Sequence, residues 1–136
     1  MTKIKDVMQS IGACKKGSRK AIQAGSLRRA YERASFSDLL YVLEELIPYW
    51  WEVDQDRKSK KATSYNNLKR RLDKIEVECY EQESRLPSYR THSYARLMKT
   101  VEYRKLHAEA ADRLRKVVPF EKAMVLYKEY LKRKGR

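Results

Sequence analysis

Lysine and arginine side chains supply most of the chemistry available to this sequence, and that chemistry is the binding of polyanions. The chain carries 32 Lys and Arg against 18 Asp and Glu, a formal net charge of +14. Each phosphate neutralised by a cationic side chain releases condensed counterions, which makes binding favourable and salt-sensitive. Residues 57–74 are the densest run, with eight basic residues and one acidic residue. The first candidate partner is therefore DNA or RNA, bound with low specificity.

The candidate phosphate-binding residues fall into two stretches of the chain, 57–74 and 113–136. The set assigned to this role is Arg57, Lys58, Lys60, Lys61, Lys69, Arg70, Arg71, Lys74, Arg113, Lys116, Lys132 and Arg133. Contacts to phosphate position a protein on nucleic acid without reading the bases. We therefore expect little sequence preference.

Tyrosines stand between basic residues in two segments, SYRTHSYARLMK and VEYRKLH. Tyr89, Tyr94 and Tyr103 could stack on nucleobases, as aromatic side chains do in proteins that bind single strands. They could equally form the edges of amphipathic helices, because tyrosine is often half-buried. The sequence leaves both interpretations open.

Catalytic and metal-binding patterns are missing from the sequence. Cys14 and Cys79 have no CxxC or Cys/His spacing, so neither a zinc site nor a disulfide framework is indicated. His92 and His107 are the only histidines, and no Gly-rich phosphate loop or nucleophile elbow appears. We predict no catalytic residues, no metal and no cofactor, and we expect a binding protein rather than an enzyme.

Long apolar stretches are also missing. No segment approaches the roughly 20 apolar residues of a membrane span, and the first residues lack the apolar run of a signal peptide. The sparse, unpatterned cysteines are typical of a reducing compartment. We expect a cytoplasmic protein with no membrane partner, associated with the nucleoid if its ligand is DNA.

Helices must position the basic residues, because turn signals are scarce. Gly and Pro number four and three, which argues against a sheet with many hairpins. Apolar residues recur with helical spacing in residues 4–11, 27–34, 35–47, 64–79, 93–118 and 120–131. Ser26 and Ser35 are placed to cap two of these helices. We predict an all-α fold, a single small domain over residues 1–136 with about five or six helices.

A short coiled-coil-like segment lies in the basic helical region, residues 57–136. Tyr65, Leu68, Leu72, Ile75 and Cys79 are spaced 3, 4, 3 and 4 residues apart. This spacing is the a/d repeat of a coiled coil, sustained here for two heptads.

Residues 27–56 form an acidic segment that we assign to self-association. Between residues 32 and 56, seven acidic residues stand against one basic residue. An apolar stripe precedes Pro48, which must break or bend its helix. The residues assigned to oligomerisation are Leu39, Leu43, Leu46, Ile47, Trp50 and Trp51. The tryptophans could instead cover the chain's own core, since Trp anchors both cores and interfaces.

Residues 27–46, LRRAYERASFSDLLYVLEEL, combine a short Arg-containing helix, a Ser cap and an acidic helix with Leu-x-x-x-Leu-x-x-Leu spacing. The positions that carry a family pattern are Leu27, Arg28, Leu39, Leu43, Glu44 and Leu46. This segment resembles the N-terminal dimerisation region of the histone-like nucleoid-structuring (H-NS) proteins of bacteria. The resemblance implies a homodimer formed through residues 27–51. It does not extend to that family's Gln-Gly-Arg-type DNA-binding loop, so a nucleic-acid role rests on the basic residues alone.

Two classes of function follow from these features. The first is a small basic helical protein that binds DNA or RNA through phosphate contacts and has a regulatory or structural role. The second is a phage or mobile-element interaction protein that binds and modulates a host protein through the acidic Leu/Trp helix. Salt-dependent binding to nucleic acid distinguishes them.

Overall fold

Short turns separate a succession of helices along the chain. The computed structural model describes residues 3–135, with no strand in that range. Nine helices lie between these limits: α1 (Ile4–Ser10), α2 (Lys15–Ala24), α3 (Leu27–Arg33), α4 (Phe36–Leu46), α5 (Trp50–Val53), α6 (Lys60–Ser84), α7 (Tyr94–Leu97), α8 (Val101–Val117) and α9 (Phe120–Lys134). The all-α prediction is confirmed, although the helices outnumber the five or six expected. Among the described residues, no helix has both the length and the apolar character that crossing a bilayer requires.

Hydroxyl side chains begin five of these helices. The Ser35 hydroxyl accepts a hydrogen bond from the Asp38 N–H at 3.2 Å, as its place before the apolar stripe predicts. The other hydroxyl caps, at the starts of α3, α6, α7 and α8, are Ser26, Ser59, Ser93 and Thr100. Each satisfies an N–H that has no partner within the helix, which typically contributes about 1 kcal/mol.

The helix predicted over residues 93–118 is interrupted after α7. The Thr100 hydroxyl donates to the carbonyl of Leu97 at 2.7 Å and accepts from the N–H of Tyr103 at 3.3 Å. One side chain thereby closes α7 and begins α8. Threonine makes such local backbone hydrogen bonds in competition with the helix, which the apolar periodicity alone does not reveal.

The apolar stripe of α4 lies at the centre of the core. Leu39, Leu43, Leu46 and Ile47 are each at most 3% exposed. Helices α8 and α9 pack against α4, and one hydrophobic cluster extends from Val7 to residues of α9. These four side chains were predicted to contact a second copy. They are instead enclosed by their own chain, because the last two long helices fold over them, and they present no surface for self-association.

The coiled-coil-like stripe of α6 is likewise an internal contact. All five of its side chains are buried: Tyr65, Leu68, Leu72, Ile75 and Cys79. Helix α6 packs most extensively against α8. The heptad spacing therefore reflects a helix pair within one chain, which uses the same ridge-and-groove packing as a coiled coil.

The chain bends at Pro48, as predicted. Helix α4 ends at Leu46, and α5 begins at Trp50. The two tryptophans then differ, since Trp50 is half-buried and Trp51 is 52% exposed. Only the first of them returns to the body of the fold.

Candidate nucleic-acid interface

One face of α6 is basic and turned to solvent. Lys60, Arg70, Arg71 and Lys74 are exposed; Asn67 follows Lys60 by seven residues, and Arg70, Arg71 and Lys74 follow at intervals of three and four residues. Residues with this spacing share one side of a helix. The opposite side is buried against the core, which fixes the basic face outward. At 1.5 Å per residue, the four cations extend over about 21 Å of the helix.

An ordered turn leads into this face. The Asp54 carboxylate accepts hydrogen bonds from the N–H groups of Asp56 and Ser59, and these bonds hold the pKa of Asp54 below its usual value. Arg57 has a φ of 60°, in the left-handed region that residues other than glycine seldom adopt. Its guanidinium lies 4.2 Å from the centre of the Trp50 ring. The turn thus commits Arg57 to a cation–π contact.

Seven predicted phosphate-binding residues keep their cationic groups free. Within residues 3–135, no ion pair, hydrogen bond or aromatic ring engages them. All are exposed: Lys58, Lys60, Arg70, Arg71, Lys74, Lys116 and Lys132. The last two lie on α8 and α9. The other five are brought together on α6 and the turn before it, and we call these five the α6 basic face.

Two further predicted residues are held in ion pairs. Lys61 lies 3.5 Å from a carboxylate oxygen of Glu129, and Arg113 lies 2.6 Å from one of Glu78. Ion pairs that solvent reaches contribute only about 0–1 kcal/mol. A phosphate could therefore compete for either cation, but neither is free in the structure.

Arg133 and a residue that the sequence did not single out, Arg115, close the ends of neighbouring helices. Arg133 donates to the carbonyl of Leu46 at 3.0 Å, at the end of α4. Arg115 donates to the carbonyls of Tyr31, at 3.0 Å, and Ala34, at the end of α3. The last carbonyls of a helix have no partner within it. The phosphate-binding prediction for Arg133 stays a prediction, and this guanidinium already makes a structural hydrogen bond.

Lys69 turns away from the α6 basic face toward α4 and α5. Its ammonium lies 4.2 Å from the centre of the Tyr49 ring. It lines a cavity of about 160 Å³ together with Glu44 and Asp73. Burial lowers the pKa of Lys69, although the nearby carboxylates act in the opposite direction. The assignment of Lys69 to phosphate binding stays a prediction, but it is not favoured, because Glu44 and Asp73 lie beside this side chain and it is half-buried.

Three carboxylates that are distant in sequence meet beside this cavity. Oxygen atoms of Glu44, Asp73 and Glu76 lie within 4.8 Å of one another. Burial first, and then the two neighbouring carboxylates, raise the pKa of Glu76. Oxygen ligands of this kind suit a divalent cation. Exposed acidic groups often lie together on helices without one, and the ammonium of Lys69 already offsets part of the charge.

Tyr49 and Trp51 form an exposed aromatic pair. Their rings are stacked with centres 4.3 Å apart and planes 6° apart, and Trp50 meets Trp51 edge-on at 5.6 Å. The two stacked side chains are 49% and 52% exposed. Tyrosine and tryptophan in such patches are typical anchors of protein interfaces. Of the predicted oligomerisation set, Trp51 is the residue that remains exposed, and it is stacked on the exposed ring of Tyr49.

The tyrosines between basic residues separate into two kinds. Tyr89 and Tyr94 are 43% and 56% exposed and remain available for stacking. Tyr103 is buried, and its ring stacks on His107 at 4.0 Å. His107 in turn lies 2.8 Å from a carboxylate oxygen of Glu83, in the packed space between α6 and α8. Tyr103 is therefore a core residue and is not available for stacking on a base, and His107 packs beside it.

The arrangement can bind anions through the α6 basic face and can offer an aromatic surface at α5. Comparison of the chain with protein-family models, curated proteins and solved structures gives no match. The resemblance of residues 27–46 to the H-NS dimerisation region stays a prediction.

Proposed function

We propose that this protein binds DNA or RNA through the α6 basic face, by contacts to phosphate that do not read the sequence. The observation that carries the proposal is the set of five exposed, uncommitted cations at Lys58, Lys60, Arg70, Arg71 and Lys74. The four cations on α6 extend over about 21 Å, which spans roughly six nucleotides of one strand of duplex DNA at about 3.4 Å per nucleotide. Asp73 is the one acidic residue between residues 57 and 74, and it lies beside Glu44 and Lys69 at the neighbouring cavity.

The salt dependence of binding tests the proposal quantitatively. Each phosphate contact on duplex DNA contributes about −0.9 to the slope of log K against log salt. Five contacts predict a slope of about −4.5 on duplex DNA, and about −3.5 on a single strand, where each contact contributes about −0.7. Fluorescence anisotropy with labelled duplex and single-stranded oligonucleotides of two unrelated sequences measures both quantities.

A pair of charge-matched variants separates the α6 basic face from net charge. The first variant reverses four cations of the face to Glu: Lys60, Arg70, Arg71 and Lys74. The second reverses four exposed lysines elsewhere: Lys5, Lys105, Lys122 and Lys128. Four reversals remove eight units of charge, so both variants fall from +14 to +6. We expect the first to lower the slope to about −1 on duplex DNA and the second to leave it within about one unit of wild type. Equal losses, or no binding by wild type at low salt, would contradict the proposal.

We further propose, as the second candidate, a protein-docking surface at Tyr49 and Trp51. The exposed stacked pair favours it, since large aromatic side chains seldom lie together on a surface without a partner. The partner is a second copy of this chain, as the H-NS resemblance implies, or a host protein modulated by a phage or mobile element. Light scattering on wild type and Trp51→Ser tests the first partner. A monomer at all concentrations leaves the host protein as the partner to be sought.

A further inference from the structure

A large apolar groove lies between the N-terminal helices and the core. Helices α1, α2 and α3 form one wall, α4 and α9 form the other, and the volume of the groove is about 770 Å³. Its floor includes the buried side chains of Ile11, Leu39 and Leu46. Sites for small organic ligands typically have about 300–1,000 Å³ and a predominantly apolar lining. The groove has the size and the surface of such a site.

Small side chains leave this space open. Eight of the lining residues are glycine or alanine: Gly12, Ala13, Gly17, Ala21, Ala24, Ala30, Ala34 and Ala123. The volume lies in an open groove, and small side chains on its walls leave room for a ligand.

Tyrosine hydroxyls join the two walls of the groove at fixed positions. The Tyr41 hydroxyl, on α4, lies 3.1 Å from the carbonyl oxygens of both Ile11 and Gly12 at the end of α1. The Tyr127 hydroxyl, on α9, lies 2.9 Å from the hydroxyl of Ser10. These bonds attach one end of α1 to both helices of the opposite wall. Hydrogen bonds between the helices that line the groove therefore fix its shape.

Positive charge predominates around the groove. Lys20 and Arg33 line it, and Asp38 is the one carboxylate among the lining residues. Residues 15–33, which form the outer wall, contain seven basic residues and one acidic residue. In the described part of the chain, no carboxylate lies within 4.0 Å of Lys20 or Arg33. Both cations are available to an anion at the rim.

We propose that the groove binds an amphiphile that has a single long alkyl chain and an anionic headgroup, represented by a long-chain fatty acid. The alkyl chain covers the apolar floor, and the carboxylate meets Lys20 and Arg33. Burying the chain removes apolar surface from water, and the charged contacts orient the headgroup. No residue of the α6 basic face lines the groove, so this site is independent of the proposed nucleic-acid binding.

Displacement of cis-parinaric acid, whose fluorescence rises in apolar surroundings, tests the site in the 136-residue chain. The competitors are palmitate, hexadecyl phosphate and the uncharged hexadecanol. We expect either anionic compound to displace the probe about fivefold more effectively than hexadecanol, the upper range for one ion pair that solvent reaches. The ratio of palmitate to hexadecyl phosphate identifies the headgroup. Equal displacement by hexadecanol would overturn the proposal that the ligand has an anionic headgroup.

Two double variants on the same helices test the role of the lining cations. Lys20→Glu with Arg33→Glu should weaken palmitate binding about tenfold or more. Lys16→Glu with Arg29→Glu changes the charge equally at exposed residues outside the lining, and should leave binding within about threefold of wild type. Equal losses in the two variants overturn the assignment. All four residues are exposed, so folding is not at risk.

Occupancy of the groove itself has two separate readouts. Ala30→Phe fills the space from α3 and should abolish probe binding while the helical circular dichroism is retained. Cys14 lines the groove and is exposed, whereas Cys79 is buried, so palmitate should slow alkylation of Cys14 in the wild type. If palmitate leaves this rate unchanged and the probe stays unbound, the proposal is wrong and the groove is more suited to a helix of another protein. The charge-reversed α6 variant should bind palmitate normally.

Discussion

Replacing Arg115 should destabilise the protein more than any other single loss of a surface charge. Its Nε donates to the Tyr31 carbonyl at 3.0 Å, and a terminal nitrogen donates to the Ala34 carbonyl. The remaining nitrogen lies 3.0 Å from a carboxylate oxygen of Asp112. The side chain is 19% exposed, so most of these contacts are shielded from water. One guanidinium therefore joins the end of α3 to α8.

The expected cost follows from the bonds that Arg115→Met removes. Hydrogen bonds from a charged donor contribute about 1.5–3 kcal/mol each, and the remaining solvent access lowers that figure. Two such bonds predict a loss of about 2–4 kcal/mol in the free energy of unfolding. That is a substantial part of the roughly 5–15 kcal/mol available to a domain. For a chain of this length, about 3–5 °C in Tm corresponds to each kcal/mol.

Urea unfolding followed by circular dichroism measures this loss, and the adjacent Lys116→Met is the matched control. Lys116 is exposed and makes no ion pair within residues 3–135, so its replacement should change stability by less than about 0.5 kcal/mol. Arg115→Lys should fall between the two, because an ammonium lacks the planar fork that reaches both carbonyls. If Arg115→Met and Lys116→Met prove equally stable, water satisfies these carbonyls and the capping role is refuted.

Three other outcomes follow from burial and from shifted pKa values. Leu43→Ala, at a fully buried site, should cost about 2–5 kcal/mol, whereas Leu131→Ala, at 41% exposure, should cost under about 1 kcal/mol in the same urea titration. Because the pKa of Glu76 is raised in the fold, its contribution to stability is greatest at low pH and is lost as the pH rises through that pKa. Glu76→Gln should therefore stabilise the protein at neutral pH, by less than about 1 kcal/mol given solvent screening, with no difference near pH 3; an equal effect at both pH values would exclude ionisation as the cause. Burial raises the pKa of Cys79 to about 11, so iodoacetamide at neutral pH should modify Cys14 in the native protein and Cys79 only after unfolding, as mass spectrometry of the labelled peptides would show.

Local features of the fold were predictable because their causes are local. The hydroxyl of Ser35 and the apolar stripe that follows it define α4 within a dozen residues of sequence, and Pro48 ends that helix by its own covalent structure. Helical periodicity likewise identified the buried side of α6. These features depend on residues separated by only a few positions.

The sequence did not predict which residues cover each buried helix face or which group each cationic side chain contacts. A leucine stripe indicates that a helix face is covered, but Leu43 gives no sign of whether its own chain or a second copy covers it. The same limit applies to Arg133, whose partner at Leu46 lies 87 positions away. Lys69 and Arg70 are adjacent in the same basic run, yet the helix directs them to different environments. Tertiary contacts at long sequence separation decide these cases.

The position of the acidic segment determines which side of α6 attracts phosphate at the proposed nucleic-acid site. Lys69 and Asp73 face α4 and α5, where Glu44 lies. One helical position further on, about 100° around the axis, Arg70 and Lys74 face solvent. A phosphate backbone that approaches α6 is attracted on this side and repelled on the other, since both fields act over a Debye length of about 10 Å. Nucleic acid bound along Arg70 and Lys74 would therefore lie on the side of α6 away from Glu44 and Asp73.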